Sequence, residues 1–382
     1  MKEITIAELK ARPKDSCQII DIRDEGSVLY GMIPGAIHIP IKLFMENEQE
    51  CLARLHKKGD VIFYCQRGEK SKDIAEQMEK SGINSYSLTG GYQAFLMDAL
   101  SDEEEIDVKE RAEQSIRKKF HKQLFTPFAK ACRTYELIQD GDHIAVCISG
   151  GKDSMLMAKL FQEIQRHKKV KFELTFLVMD PGYNKENRAL IESNARKLGI
   201  PVTIFDSIIF DAVDHVEKNP CYLCARMRRG YLYSKAKELG CNKIALGHHY
   251  NDVIETILMG MIHGGQIQTM MPKLHSTNFA GMELIRPLYL IREEAICRWR
   301  DYNELHFLQC ACHFTETCST CHEDGTTSSK RLETKKLIAK LKEDNPYIEG
   351  NIFKSVENVN LSTVIAYKKD GVKHHFLDEY DK

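Results

Sequence analysis

Ser149-Gly150-Gly151-Lys152-Asp153-Ser154 is the stretch on which the reading of this chain turns. It follows an apolar run, His143 to Ile148, and opens a segment with Met155, Met157, Leu160 and Phe161 at helical spacing. The context is strand, glycine turn, helix. Such a turn aims backbone N–H groups and a helix N-terminus at one point, and Lys152 adds a positive charge, so the guest that suits it is a phosphate. The spacing differs from G-x-x-x-x-G-K-[ST], which separates it from loops that present a terminal phosphate for transfer.

Outward from this loop the strand–helix alternation continues, with strands expected at 172–180, 202–206 and 243–247. That pattern predicts an α/β fold with a doubly wound parallel sheet, whose ligands sit beyond the strand C-termini. Ser149, Asp180 and Gly247 each stand at such an end. Residues 1–98 form a second, smaller parallel α/β unit, with strands at 18–23 and 61–64, a turn at 31–40 that leads into another strand, and Gly90-Gly91 opening the last helix. Residues 99–120, acidic and then basic, read as a linker running into a helix. The phosphate-loop domain spans 121–365, and 366–382 is a tail with a hairpin around Asp370-Gly371.

A chain of 382 residues has room for two or three cored domains. Its formal net charge of −1 does not favour nucleic acid, but the local distribution does. Between Ile116 and Arg133 lie Arg117, Lys118, Lys119, Lys122, Lys130 and Arg133 with no acid, and Arg226, Arg228 and Arg229 form a second group; such patches suit phosphate backbones. No apolar run approaches the ~18 residues of a membrane span, and the charged N-terminus lacks a signal-peptide core. The expectation is a cytoplasmic protein with no membrane partner. Thirteen cysteines in a reducing compartment point to metal binding or sulfur chemistry rather than disulfides.

Two cysteine motifs stand out. Cys65-Gln-Arg-Gly-Glu-Lys-Ser71 begins where the apolar strand 61–64 ends, which places Cys65 in a cup of backbone N–H groups beside Arg67 and Lys70. That setting favours a thiolate, and equally a persulfide anion. Cys221 and Cys224 stand one helical turn apart in Pro220-Cys-Tyr-Leu-Cys-Ala-Arg-Met-Arg-Arg229, so both can reach one metal or cluster. Zinc, a redox disulfide and an iron–sulfur cluster all use this spacing. Cys310, Cys312, Cys318 and Cys321 follow, and a structural Cys₄ zinc site from Cys221/Cys224 with Cys318/Cys321 is the plainer alternative.

Residues 1–98 resemble a rhodanese domain through Asp21 and Arg23, Gly31-Met-Ile-Pro-Gly-Ala36, the loop after Cys65, and Gly90-Gly91. Met32 stands where that family usually has histidine. The resemblance implies that Cys65 carries sulfur as a persulfide. The loop at Ser149 resembles the PP-loop of ATP pyrophosphatases. Residues from about 116 to 365 are similar to the TtcA group of PP-loop tRNA thiolases, through Gly141 to Ser154, Cys221 to Gly230, Lys243 to Asp252 with Glu255 and Thr256, and Ile285-Arg-Pro-Leu288.

That second resemblance implies an enzyme acting on tRNA with ATP, Mg²⁺ and a [4Fe–4S] cluster. Ser149, Gly150, Gly151, Lys152, Asp153 and Ser154 would hold the phosphates. Asp153 and Asp252 would act on Mg²⁺ or orient the reacting groups, and Asp180, Gly247 and His248 would line the nucleotide pocket. Cys221, Cys224 and one of Cys310 and Cys312 (Cys310 favoured) would bind the cluster, leaving one iron open. The implied reaction adenylates the C2 oxygen of an anticodon-loop cytidine and replaces it with sulfur relayed from Cys65, to which a cysteine desulfurase or another donor supplies it. A thiolase for another base, such as 2-thiouridine, and a non-catalytic sulfur carrier are the alternatives; a homodimer is left open.

Overall fold

In the computed structural model, residues 2–13, 16–28, 31–55, 59–99, 105–209, 220–307, 330–378 and 380 are described. The front sheet is built from β1 (Glu3–Ile4), β2 (Cys17–Asp21), β3 (Ile37–His38), β4 (Asp60–Tyr64) and β5 (Ser85–Leu88). Its order is β1-β5-β4-β2-β3, with every pairing parallel. The central strand β4 is apolar on both faces because helices cover both sides, and Val61 to Tyr64 are fully buried. Cys65 therefore leaves the sheet at the end of its middle strand.

The second sheet comprises β6 (His143–Ile148), β7 (Glu173–Asp180), β8 (Val202–Asp206), β9 (Lys243–Ala245), β10 (Lys273–His275) and β11 (Glu283–Ile285). The order is β10-β11-β9-β6-β7-β8, with only the β10–β11 pairing antiparallel. The sheet is the doubly wound one expected. The chain runs from β6 outward through β7 and β8, then returns to the other flank of β6 with β9. The crevice between the ends of β6 and β9 is thus the switch point, where such sheets bind ligands. At three residues each, β10 and β11 are too short to leave an alternation in the sequence.

The chain divides into two compact units, residues 1–250 with 272–327, and residues 251–271 with 328–382. In the first unit one continuous apolar core joins the two sheets. Tyr64, Leu88, Tyr92 and Leu96 from the front domain share it with Val108, Ala112, Ile116, Trp299, Leu305 and Phe307. The segment expected as a linker contains the helix Glu105–Arg117, and its Val108, Ala112 and Ile116 recur every four residues on one buried face. His306 meets Phe95 edge-on with ring centroids 5.2 Å apart, while its carbonyl accepts from Asn194 Nδ2 at 2.9 Å. A π-turn, His121–Phe125, links Glu105–Arg117 to the helix Thr126–Thr134.

The second unit holds the helices Lys330–Asp344 and Ile348–Ser355 and the hairpin β12 (Ala366–Lys369) and β13 (Val372–His375). Asp370 and Gly371 both have positive φ, 52° and 81°, as the two-residue turn read from the sequence requires.

Candidate active sites

At the end of β6, Gly150 turns the chain with φ 84° and the helix Lys152–Arg166 begins. The loop is tied to itself. Ser154 Oγ takes the Ser149 N–H at 3.1 Å, lies 3.2 Å from Ser149 Oγ and donates to Gly151 O at 3.0 Å. Gly247, past β9, lies against it: a Cβ there would come within 3.3 Å of Ser154 N and 3.4 Å of Ser154 Cα. A glycine lets that strand end approach the first turn of the helix. The structure therefore brings Ser149, Gly150, Gly151, Lys152, Asp153, Ser154 and Gly247 together, with His248 next in the chain and its N–H bonded to Leu246 O at 2.9 Å.

Lys152 is only 2% exposed. Its ammonium sits 3.2 Å from Asp153 Oδ2 and 3.2 Å from Glu293 Oε1. Buried His249 completes the group, with Nε2 3.9 Å from Asp153 Oδ1 and 4.0 Å from Glu293 Oε1. Asp153 Oδ1 is buried and takes no hydrogen bond among the described residues. Glu293 had no signal of its own in the sequence. It opens the helix Glu293–Tyr302 and reaches Lys152 across 141 positions of chain.

Two other candidates have partners within the protein. Asp180 Oδ1 accepts from the N–H groups of Gly182 and Tyr183 at 2.9 and 2.6 Å, and Oδ2 pairs with Arg188 at 3.0 Å. This carboxylate shapes the turn after β7. Within the second unit, Asp252 Oδ1 lies 3.0 Å from Arg331 Nη1, and Glu255 Oε2 lies 3.6 Å from Arg331 Nε. Cys221 and Cys224 occupy positions one turn apart on the helix Pro220–Glu238, the spacing a shared metal or cluster needs. Cys310, Cys312, Cys318 and Cys321 lie outside the described residues.

In the front domain Cys65 Sγ accepts from the Gly68 N–H at 3.2 Å and from the Ser71 hydroxyl at 3.6 Å. Ser71 Oγ is in turn 2.9 Å from Ser87 Oγ on β5, and both serines are fully buried. Sequence reasoning placed the N–H cup and missed the hydroxyls, although Ser71 ends the loop. Gly91, with φ 56°, closes the cup from the start of the helix that follows β5. A Cβ there would stand 2.4 Å from Cys65 O and 2.7 Å from Gly68 N, both backbone atoms that cannot yield. Arg67 and Lys70 are exposed at the mouth.

Beneath the cup is a buried ion pair. Arg23 Nε and Nη2 donate to both oxygens of Asp21, with the shortest contact 2.6 Å, and the Tyr64 hydroxyl donates to Asp21 at 2.7 Å. The guanidinium lies 3.8 Å from the centroid of Tyr92. Burial works against its charge, but the hydrogen bonds to Asp21 hold Arg23 above its ordinary value. Burial also pushes the Tyr92 phenol up to about 12, so it stays neutral. The pair that carried the family resemblance thus ties the end of β2 to Gly31 and to Tyr64, the residue before Cys65.

Residues 114–312 match the family described as PP-loop domain, and residues 5–98 match the rhodanese-like domain. A tRNA-cytidine(32) 2-sulfurtransferase from Geobacter sulfurreducens is 32% identical over 242 residues, covering 63% of this chain and 90% of the relative. The chain belongs to the PP-loop family of tRNA sulfurtransferases. A relative of the same name from Alkalilimnicola ehrlichii is 33% identical over 251 residues, 64% of this chain and 76% of its own. The U34-tRNA thiolase NcsA from Methanococcus maripaludis, solved with its [4Fe-4S] cluster, is 22% identical, covers 61% of this chain and 76% of its own, and superimposes with a TM-score of 0.48. No helix among the described residues is long and apolar enough to cross a membrane.

Proposed function

We propose that this protein is an ATP-dependent tRNA 2-thiocytidine synthetase that carries its own sulfur donor domain. The observation that carries the reading is the Ser149–Ser154 loop at the switch point between β6 and β9, with a buried Lys152 in its first helical turn. Fixed N–H donors and a preplaced ammonium are the groups that stabilise charge developing on a triphosphate. The C2 oxygen of cytidine attacks the α-phosphorus, and pyrophosphate leaves. A sulfur nucleophile derived from the Cys65 persulfide then attacks C2, and AMP departs with the original oxygen. A thiolate that attacks the inner sulfur of the persulfide breaks its S–S bond, releases hydrosulfide and is left in a disulfide with Cys65, so the two electrons come from that thiol oxidation.

Asp153, with a buried oxygen that takes no hydrogen bond among the described residues, fits Mg²⁺, which would screen the phosphates when bound. Cys221 and Cys224 fit a [4Fe–4S] cluster together with Cys310 or Cys312; when bound it would offer an open iron to sulfur. Asp180, Gly247 and His248 remain assigned to the nucleotide pocket, and Asp252 to Mg²⁺ or the orientation of the reacting groups. The proposed domain limits are 1–98 and 121–365, with 99–120 between them and 366–382 as the tail.

The reading is tested anaerobically with unmodified tRNA, ATP, Mg²⁺ and a thiosulfate-charged protein, followed by nucleoside mass spectrometry. The expected product is 2-thiocytidine; 2-thiouridine alone would assign the wrong base. In the same assay Cys65→Ser should lower single-turnover thiolation from the charged protein at least tenfold and leave thiolation from added sulfide intact. Equal yields from both donors would remove Cys65 from the path.

The exposed cations Lys118, Lys122, Lys130 and Arg133 around the π-turn suit the RNA backbone. Changing Lys122, Lys130 and Arg133 to alanine should weaken tRNA binding and flatten the slope of log K against log salt by about 2–3, close to 0.7–0.9 for each phosphate no longer neutralised. An unchanged slope would place the RNA elsewhere.

A further inference from the structure

The strongest unexplained feature is the polar cluster around the Lys152 ammonium. A buried ammonium needs a compensating charge. Two carboxylates provide it here, Asp153 from the loop itself and Glu293 from a helix 141 residues away, each at 3.2 Å. One would balance the charge. The second joins it with His249 Nε2, which lies 3.9 Å from Asp153 Oδ1 and 4.0 Å from Glu293 Oε1. Glu293 is also held firmly: its helix buries Ile296 and Trp299 in the core, and the preceding Arg292 lies over the Tyr250 ring at 4.9 Å.

From this geometry we infer that Glu293 is the internal counter-anion of the phosphate loop. It occupies Lys152 while the loop is empty and yields it to the phosphates of a nucleoside triphosphate. Once the ammonium has turned to the phosphates, Asp153 and Glu293 lose the cation they share, and Asp153 Oδ1 takes no hydrogen bond among the described residues. Paired carboxylates beside a triphosphate are what Mg²⁺ binds, since this ion takes one or two protein carboxylates plus phosphate oxygens. Glu293 is thus a positioning residue that trades an ammonium for a divalent cation, and ATP and Mg²⁺ enter as a linked pair. The inference rests on the ATP reading of the loop.

Calorimetric titration of the full chain separates the two. For Glu293→Gln, ATP without Mg²⁺ should bind at least fivefold more tightly than to the unaltered protein, because no carboxylate competes for Lys152. The gain in ATP affinity that Mg²⁺ confers should shrink about tenfold. Unchanged or weaker Mg²⁺-free binding, or a full Mg²⁺ gain, overturns the inference. If the unaltered protein binds no ATP with or without Mg²⁺, the ATP reading fails instead. Lys152→Gln supplies an independent arm, titrated with Mg²⁺ alone. Releasing both carboxylates should raise Mg²⁺ affinity at least tenfold over the unaltered protein, and no rise counts against the inference even if Glu293→Gln does not fold.

Discussion

Lys152→Ala is expected to lower AMP release in the presence of tRNA by about 10²–10³-fold, the effect of removing one preorganised donor from a charge-stabilising site. The size follows from burial: at 2% exposure the ammonium acts in a medium that screens it poorly. Water cannot replace it. Pre-steady-state AMP formation measures the step directly, and a fall of less than tenfold would deny Lys152 its place on the phosphates. Because the change also removes the cation that Asp153 and Glu293 share, a thermal melt should accompany the kinetics, with Lys152→Arg as the charge-retaining control.

Asp21→Asn is the second large effect, and it is one of stability. Asp21 is fully buried and accepts from Arg23 and Tyr64, and its charge is what balances the guanidinium. Removing one partner of a buried pair leaves an uncompensated charge, a loss of about 3–5 kcal/mol. Denaturant unfolding of the full chain should show it as a lower midpoint. A loss under about 1 kcal/mol would mean that the pair is not the tie described. Replacing Asp21 and Arg23 together by apolar residues of similar volume should recover much of the stability, since the penalty lies in the orphaned charge.

The shared core bears on the proposed delivery of sulfur from the rhodanese-like domain. A tether would make delivery a matter of effective concentration. Here Tyr92, Leu96, Trp299 and Phe307 belong to one packed interior, and Phe95 is set against His306. The rhodanese-like domain is docked on the PP-loop domain by its core. The acidic-to-basic segment reads as a linker running into a helix, and that helix sets Val108, Ala112 and Ile116 into the same interior. Fully burying each larger apolar side chain at such a seam contributes about 1.5–3 kcal/mol, so the helix Glu105–Arg117 is part of the fold.

What could be read from sequence was local in its physics. A glycine turn between an apolar strand and an amphipathic helix specifies a phosphate loop, because consecutive residues set both its backbone shape and its donors. The same holds for the Cys65 loop, for Cys221 and Cys224 one turn apart, and for the Asp370-Gly371 hairpin. Tertiary structure decided what completes each site. Ser87 stands behind Ser71 because β5 pairs with β4, and Gly247 meets Ser154 because β9 returns beside β6. Glu293 finds Lys152 only because a buried helix carries it there. Such partners are chosen by packing between segments far apart in the chain, where no periodicity or spacing records the meeting.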